Sequence, residues 1–167
     1  MIRASQDLLH LYRPIEIDLP IDMAIAQKNI TRALQNDLVL SKKYQLTRYY
    51  WGHGEQNKVR LVGPRAMKQF CFRFEGKLTG GDRQTKLIGT LRLRNQDFHQ
   101  VAFAALLITV FLSALLRWGA ITVMPLFLGF LYGMVQWHFQ CYAKEYQHIL
   151  TSLLSGEKPT LIDLWGN

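Results

Sequence analysis

The chain has 167 residues, 49% of them hydrophobic and 19% charged, with a formal net charge of +8 and a mean hydropathy near zero. That length admits one ordinary domain, and two cysteines, Cys71 and Cys141, exclude a disulfide framework. The charge is uneven: residues 1–100 hold 17 Lys and Arg against 9 Asp and Glu, whereas residues 101–167 hold 3 against 3. A basic part followed by an apolar, neutral part predicts a membrane protein with a cationic face near lipid headgroups.

The opening MIRASQDLLHLYRP is interrupted by Asp7, His10 and Tyr12, so no cleavable signal peptide is expected. Residues 13–19 (RPIEIDL) alternate Ile15, Ile17 and Leu19 with Glu16 and Asp18, the pattern of a half-buried strand ended by Pro20. Asp22 is an N-cap for a helix running to about Asn36. Its apolar face is formed by Ile25, Ile30, Ala33 and Leu34, with Met23 and Ala26 beside it. Residues 44–51 form a Tyr-rich strand, GHGEQN a turn at 52–57, and residues 58–62 a strand broken by Gly63-Pro64. In QFCFRFEGKL (69–78), Phe70, Phe72, Phe74 and Gly76 oppose Cys71, Arg73, Glu75 and Lys77. A turn at 79–82 leads to TKLIGTLRLR (85–94), where Leu87, Leu91 and Leu93 oppose Ile88, Arg92 and Arg94. The predicted class is α+β: a strand, a helix and a four-stranded antiparallel meander with one apolar face and one cationic face.

From Val101 to Val135 the only charged residue is Arg117. Thirty-five helical residues exceed 50 Å at about 1.5 Å each, too long for one crossing of a hydrocarbon core about 30 Å thick. Two short spans joined at Arg117-Trp118-Gly119 fit once residues 98–100 and 136–139 are included. Arg117 and Trp118 suit one membrane surface, and Trp137, His138 and Tyr142 would form an aromatic belt at the other. Gly119 would supply the turn, Pro125 is tolerated in a membrane helix, and Gly129 and Gly133 form a small-residue face for helix packing, in the simplest case within the hairpin. A helix (141–154) and an apolar tail with Leu161, Ile162, Leu164 and Trp165 follow. The expected organisation is a cytoplasmic α+β domain (1–97), a transmembrane hairpin (98–139), and a cytoplasmic helix and tail (140–167). Both termini are placed in the cytoplasm by the cations before residue 101.

The order of parts resembles small bacterial membrane proteins that place an α+β meander before a two-helix transmembrane hairpin. The residues carrying it are the Tyr-rich entry strand, PRAMKQFCFRFEGKL with its internal Gly76, TKLIGTLRLR and the helical pair, over about residues 40–154. The resemblance implies a location in a bacterial inner or internal membrane. It supplies no activity and no site residues.

No catalytic or cofactor set emerges. The histidines at 10, 53, 99, 138 and 148 lack metal-ligand spacing; His99 and His138 read as residues facing headgroups. GHGE lacks the strand, Gly-rich loop and helix of a phosphate cradle. Glu16, Asp18 and Asp22 read as a solvated edge, and Cys71 and Cys141 as buried or interfacial thiols. The one constellation above background is the cationic strand face: Lys58, Arg60, Arg65, Lys68, Arg73, Lys77, Lys86, Arg92 and Arg94. Three explanations compete for it, namely a solvated face, attraction to anionic lipid headgroups, and an acidic protein partner, with nucleic acid least favoured. The leading functional expectation is a non-enzymatic interaction or assembly subunit of a membrane complex, through a protein partner or self-association. The alternatives are a membrane-tethered lipid-binding or small-ligand-binding domain or enzyme, and an oligomeric channel. No cofactor and no metal are expected.

Overall fold

The structure is a computed structural model that describes residues 12–40, 47–65, 70–81 and 83–160, with side chains at all of these except 120 and 121. In chain order the elements are β1 (Tyr12–Leu19), α1 (Met23–Ala33), β2 (Leu38–Leu40), β3 (Arg48–Glu55), β4 (Lys58–Arg65), β5 (Phe72–Gly80), β6 (Thr85–Leu93), α2 (Asn95–Leu116), a 3-10 turn (Arg117–Gly119) and α3 (Ala120–Ser155). The strands form one antiparallel sheet of order β1-β6-β5-β4-β3-β2.

The α+β class holds, but the four-stranded meander is part of a six-stranded sheet. The first strand joins it beside β6, with Ile15 opposite Gly89 and Ile17 opposite Leu87. A short strand, β2, extends the other edge beside β3. The break expected at Gly63-Pro64 is absent: β4 runs on to Arg65 through a cis Gly63-Pro64 peptide. A register shift between Tyr49 and Trp51 accommodates it. Proline lacks the ladder N–H and is tolerated at such an irregularity. The turn expected at 52–57 is also shorter, because Gly52 to Glu55 lie within β3 and the chain reverses at Gln56-Asn57. Gly54 faces α1, where a Cβ would stand 2.8 Å from Ile30 Cγ2, so glycine lets the helix cross β3 closely.

Burial sorts the faces. Ile15, Ile17, Tyr50, Val59, Leu61, Phe72, Phe74, Leu78, Leu87 and Leu91 point inward against α1 and the C-terminal half of α3. In α1 the buried stripe is Ala26 and Ile30, continued by Leu34; Ile25, expected inside, is exposed. Asp22 caps the helix as expected, accepting from Ala24 N at 2.7 Å. Its helical span ends at Ala33, short of Asn36. In α3 the buried residues Phe139, Tyr142, Ala143, Tyr146, Ile149, Leu150, Leu153 and Leu154 recur at helical spacing and complete the core. Asn29 of α1 donates to Leu154 O at 2.9 Å, tying the two helices together.

The Phe74 ring lies over a cross-strand glycine pair, Gly76 opposite Gly89. A Cβ at Gly89 would stand 2.4 Å from Phe74 Cζ and 2.6 Å from Gly76 Cα. Gly89→Ala is therefore expected to destabilise the fold by about 1–3 kcal/mol, through displacement of a buried ring in a filled core. Thermal denaturation in mild detergent measures this, and adding Phe74→Leu should recover part of the loss. A melting temperature unchanged in Gly89→Ala would contradict the packing.

Among the described residues one helix, α2 with the following turn (Asn95–Gly119), is long and apolar enough to cross a membrane, and none of its most apolar stretch is buried. The sequence predicted two such helices. The second candidate is not a separate element: it is the front of the 36-residue α3 and continues without a break into the predicted C-terminal helix. Pro125, Gly129 and Gly133 dilute its apolar run, and Gln136-Trp137-His138 ends it. Its apolar side chains are nonetheless turned outward, with Val123, Leu126, Leu128, Phe130 and Met134 exposed. Partly covered residues recur at 101, 105, 109 and 112 in α2 and at 124, 127 and 131 in α3, ending at buried Val135. This spacing of three and four is a narrow contact seam.

The chain turns between the helices at Arg117, which has φ of 46°, whereas Gly119 keeps an ordinary helical φ of −65°. Gly119 is thus not the residue that reverses the chain.

Candidate functional site

On the outward face of the sheet, antiparallel pairing aligns side chains in rows. One row runs Trp51, Val62, Arg73, Arg92, Tyr12, and the next runs His53, Arg60, Glu75, Thr90, Pro14. Arg94 lies beyond the first row, at the end from which α2 departs; its N–H donates to Cys71 O at 3.0 Å. Apart from Glu75, the acids of this face lie at the opposite end. Lys86 pairs there with Glu16 and sits 3.8 Å from Asp18, and Lys58 is opposite Lys77 in the row holding Glu55, Glu16 and Ile88.

The face is therefore not uniformly cationic. Its arginines gather at the end from which α2 leaves, and its lysines share the far end with carboxylates. Of the residues singled out by sequence, Arg60, Arg73, Arg92 and Arg94 come together. Arg65 ends β4 and is exposed, while Lys58, Lys77 and Lys86 belong to the far end. Lys68 lies outside the described residues, as do the tail residues Leu161, Ile162, Leu164 and Trp165.

Arg73 and Arg92 are direct cross-strand partners, a placement that like charges disfavour. Arg92 stacks on the Tyr12 ring at 5.4 Å. Arg73 instead faces a groove of about 390 Å³ bordered by Trp51, His53, Arg60, Val62 and Arg94. Arg60 and Arg73 share one carboxylate, Glu75, at 3.7 Å each. Trp51, His53 and Val62 were not read as site residues. Strand register brings them there: Trp51, Val62 and Arg73 share one row, and His53 sits beside it opposite Arg60.

A second constellation is buried and fixes the helices to the sheet. Glu145 of α3 is 0% exposed and Arg48 of β3 is 8% exposed. They form an ion pair, and Tyr50 donates to the other carboxylate oxygen at 2.6 Å. Arg48 also stacks on the Tyr142 ring at 5.5 Å. Tyr146 OH lies 2.8 Å from Gly63 O and 2.9 Å from Phe72 O, and donates to these buried carbonyls. Arg13 of β1 donates to Gln140 Oε1 at 2.6 Å. The start of α2 is held through Asp97, which accepts from Cys71 N at 3.1 Å.

Burial lowers the pKa of the Arg48 guanidinium, and the hydrogen bond and charge of Glu145 more than reverse this, leaving it raised. Burial, then the Glu145 charge, lifts Tyr50 far above the usual tyrosine range. Burial also raises Tyr146, Tyr142 and Cys71. In the unfolded chain tyrosine releases its proton near pH 10. The folded chain holds it to higher pH, so the native state binds more protons there. Stability is complete below about pH 10 and falls as pH rises further, by up to about 1.4 kcal/mol per pH unit for each such tyrosine. Melting of detergent-solubilised protein across the alkaline range checks this. Tyr50→Phe should make the decline shallower, and an identical slope in the variant would contradict the role of Tyr50.

Other predicted positions divide. Trp118 is 86% exposed and Trp137 is exposed, whereas Tyr142 is buried with its ring 5.0 Å from Phe72. Tyr142 therefore does not join a surface aromatic belt, because the α3 face that carries it has already reached the sheet. His138 is partly exposed, and its ring lies 5.7 Å from that of Trp137. A Cβ at Gly129 or Gly133 would meet nothing within 4 Å, so these glycines face away from the hairpin seam. Cys71 and Cys141 are free thiols. Among the described residues no group of three or more His, Cys, Asp or Glu converges as metal ligands do. Comparison of the chain with protein-family models, with curated proteins and with solved structures returns no match.

Proposed function

We propose that the chain is a two-span membrane protein acting as a non-enzymatic interaction or assembly subunit, with its arginine-rich sheet end held at the headgroup layer of the cytoplasmic leaflet. The observation that carries this reading is the construction of α3. One uninterrupted helix presents exposed apolar side chains over its front half and core side chains over its back half. A solvated helix with the front half of α3 would be unstable in water, whereas lipid satisfies that surface and the sheet satisfies the rest.

The geometry supports a position at the headgroups. Between Arg94 and the unbroken apolar run that begins at Val101 lie six α2 residues, about 9 Å of helix. The headgroup layer is about 5–7 Å thick on each side. Arg94 then stands at its outer edge, and Arg73 and Arg92 within about one Debye length. The cations preceding α2 favour the cytoplasmic side for both ends of the hairpin.

Native mass spectrometry from mild detergent tests the assembly role. Recovery as a self-assembly or with a co-purifying subunit is expected, and a lone monomer at membrane-extract concentrations would contradict it. A second reading, a membrane-tethered binding domain for a small ligand, is favoured by one observation, the arginine-bordered groove beside Trp51.

A further inference from the structure

We infer that the groove between Trp51, His53, Arg60, Val62, Arg73 and Arg94 is a binding site for a phosphomonoester dianion. The charge balance specifies the ligand. Arg60, Arg73 and Arg94 line the groove. Arg60 and Arg73 share one carboxylate, Glu75, at 3.7 Å each, while Arg94 donates to Gln96 and stands beside Cys71, whose N–H holds Asp97. With Arg92 beside Arg73, four guanidiniums stand against two carboxylates, a local excess of two positive charges. A phosphomonoester near neutral pH carries about −1.5 to −2 and matches it; a phosphodiester carries one charge and leaves an arginine uncompensated.

Geometry agrees. Arg73 is paired across the ladder with another arginine, Arg92, and its Nε is buried with no hydrogen-bond partner among the described residues. A bound anion would relieve the like-charge pairing. Guanidinium forks suit phosphate oxygens, which accept two parallel N–H donors from each. Trp51 and Val62 supply an apolar wall for the carbon-bearing side of the ligand. The groove volume, about 390 Å³, fits a phosphate with a small attached group.

Two sources carry this chemistry: the headgroup of a lipid such as phosphatidic acid, or a soluble phosphomonoester. The lipid source rests on the membrane placement proposed above, and the site itself does not.

The test uses the full-length protein. In one arm it is offered equimolar phosphatidic acid and phosphatidylglycerol in mixed micelles, and bound lipid is counted by native mass spectrometry. In the other, free glycerol phosphate is titrated calorimetrically. Arg73→Gln and Arg94→Gln are compared with Lys77→Gln, which lies at the far end of the face, and each variant's melting temperature is recorded. Preference for phosphatidic acid that falls about tenfold in a folded arginine variant and not in Lys77→Gln supports the site with a lipid source. Binding of glycerol phosphate with the same variant pattern supports it with a soluble source. Equal retention of both lipids with no glycerol phosphate binding overturns it, as does equal weakening by Lys77→Gln, since either leaves only diffuse attraction. Recovery of the protein in the soluble fraction would refute the membrane placement alone, and the calorimetric arm would still decide the groove.

Discussion

Glu145→Leu is expected to destabilise the folded protein by about 3–5 kcal/mol, the scale for removing one partner of a buried ion pair. The substitution leaves the Arg48 guanidinium, 8% exposed, without its counter-charge, and Tyr50 without its acceptor. Arg48→Met should cost a similar amount by stranding the carboxylate. The double variant Arg48→Met/Glu145→Leu should be more stable than either single one, because apolar side chains of similar volume remove both desolvation penalties. A double-mutant cycle by denaturation in detergent measures this coupling. Additive losses below about 1 kcal/mol each, the scale of an exposed pair, would show that Glu145 is not buried against β3. The structural consequence concerns orientation. Glu145, Tyr146 and Gln140 fix α3 to β3, β4, β5 and β1, so the direction in which the hairpin leaves the sheet is set by buried polar contacts. In the single variants, amide exchange in β3 and the back half of α3 should accelerate.

The second large effect lies in α2. Val110 is 61% exposed and sits near the middle of the apolar run from 101 to 116. Val110→Arg is expected to impair membrane insertion, since a cation at the centre of a span costs about 2.5–3.5 kcal/mol on insertion scales. Phe98→Arg, at the polar start of the same helix, should have little effect because the side chain reaches the headgroups. The membrane-retained fraction after carbonate extraction gives the readout. If α2 were an exposed helix in water, Val110→Arg would leave yield unchanged or improve it, and the two variants would behave alike.

Much of the sheet was legible because one of its faces meets solvent. Residues 13–19 and 85–93 alternate strictly, and a period of two in a half-buried sheet identifies both strand and inward face. What escaped was local or non-local in a specific way. β2 has three residues, too few to show a period. Pro64 read as a terminator because the irregularity at Tyr49–Trp51 that absorbs it lies on the neighbouring strand. Gly52 and Gly54 read as a turn, although Gly54 is small because α1 lies over it.

The site was half visible. Cations alternating along strands marked the outward face, but their segregation toward α2 requires the register of β4, β5 and β6. Trp51 and Val62 acquire meaning only in that row. The buried network was hidden because a charged residue in a helix ordinarily reads as solvated. Its signal was spacing: Glu145 is three residues after Tyr142 and four before Ile149, on the apolar stripe, and Arg48 is two residues before Tyr50 on a strand.

Cysteine accessibility at the hairpin tip tests the central claim most directly. With Cys141→Ser in place and Cys71 buried, a single cysteine at Trp118 should react with a membrane-impermeant maleimide added outside intact cells, and a cysteine at Gln84 should react only after the membrane is opened. Labelling at position 118 that also requires opened cells, with none from outside, would mean that the chain does not cross lipid between the sheet and the tip.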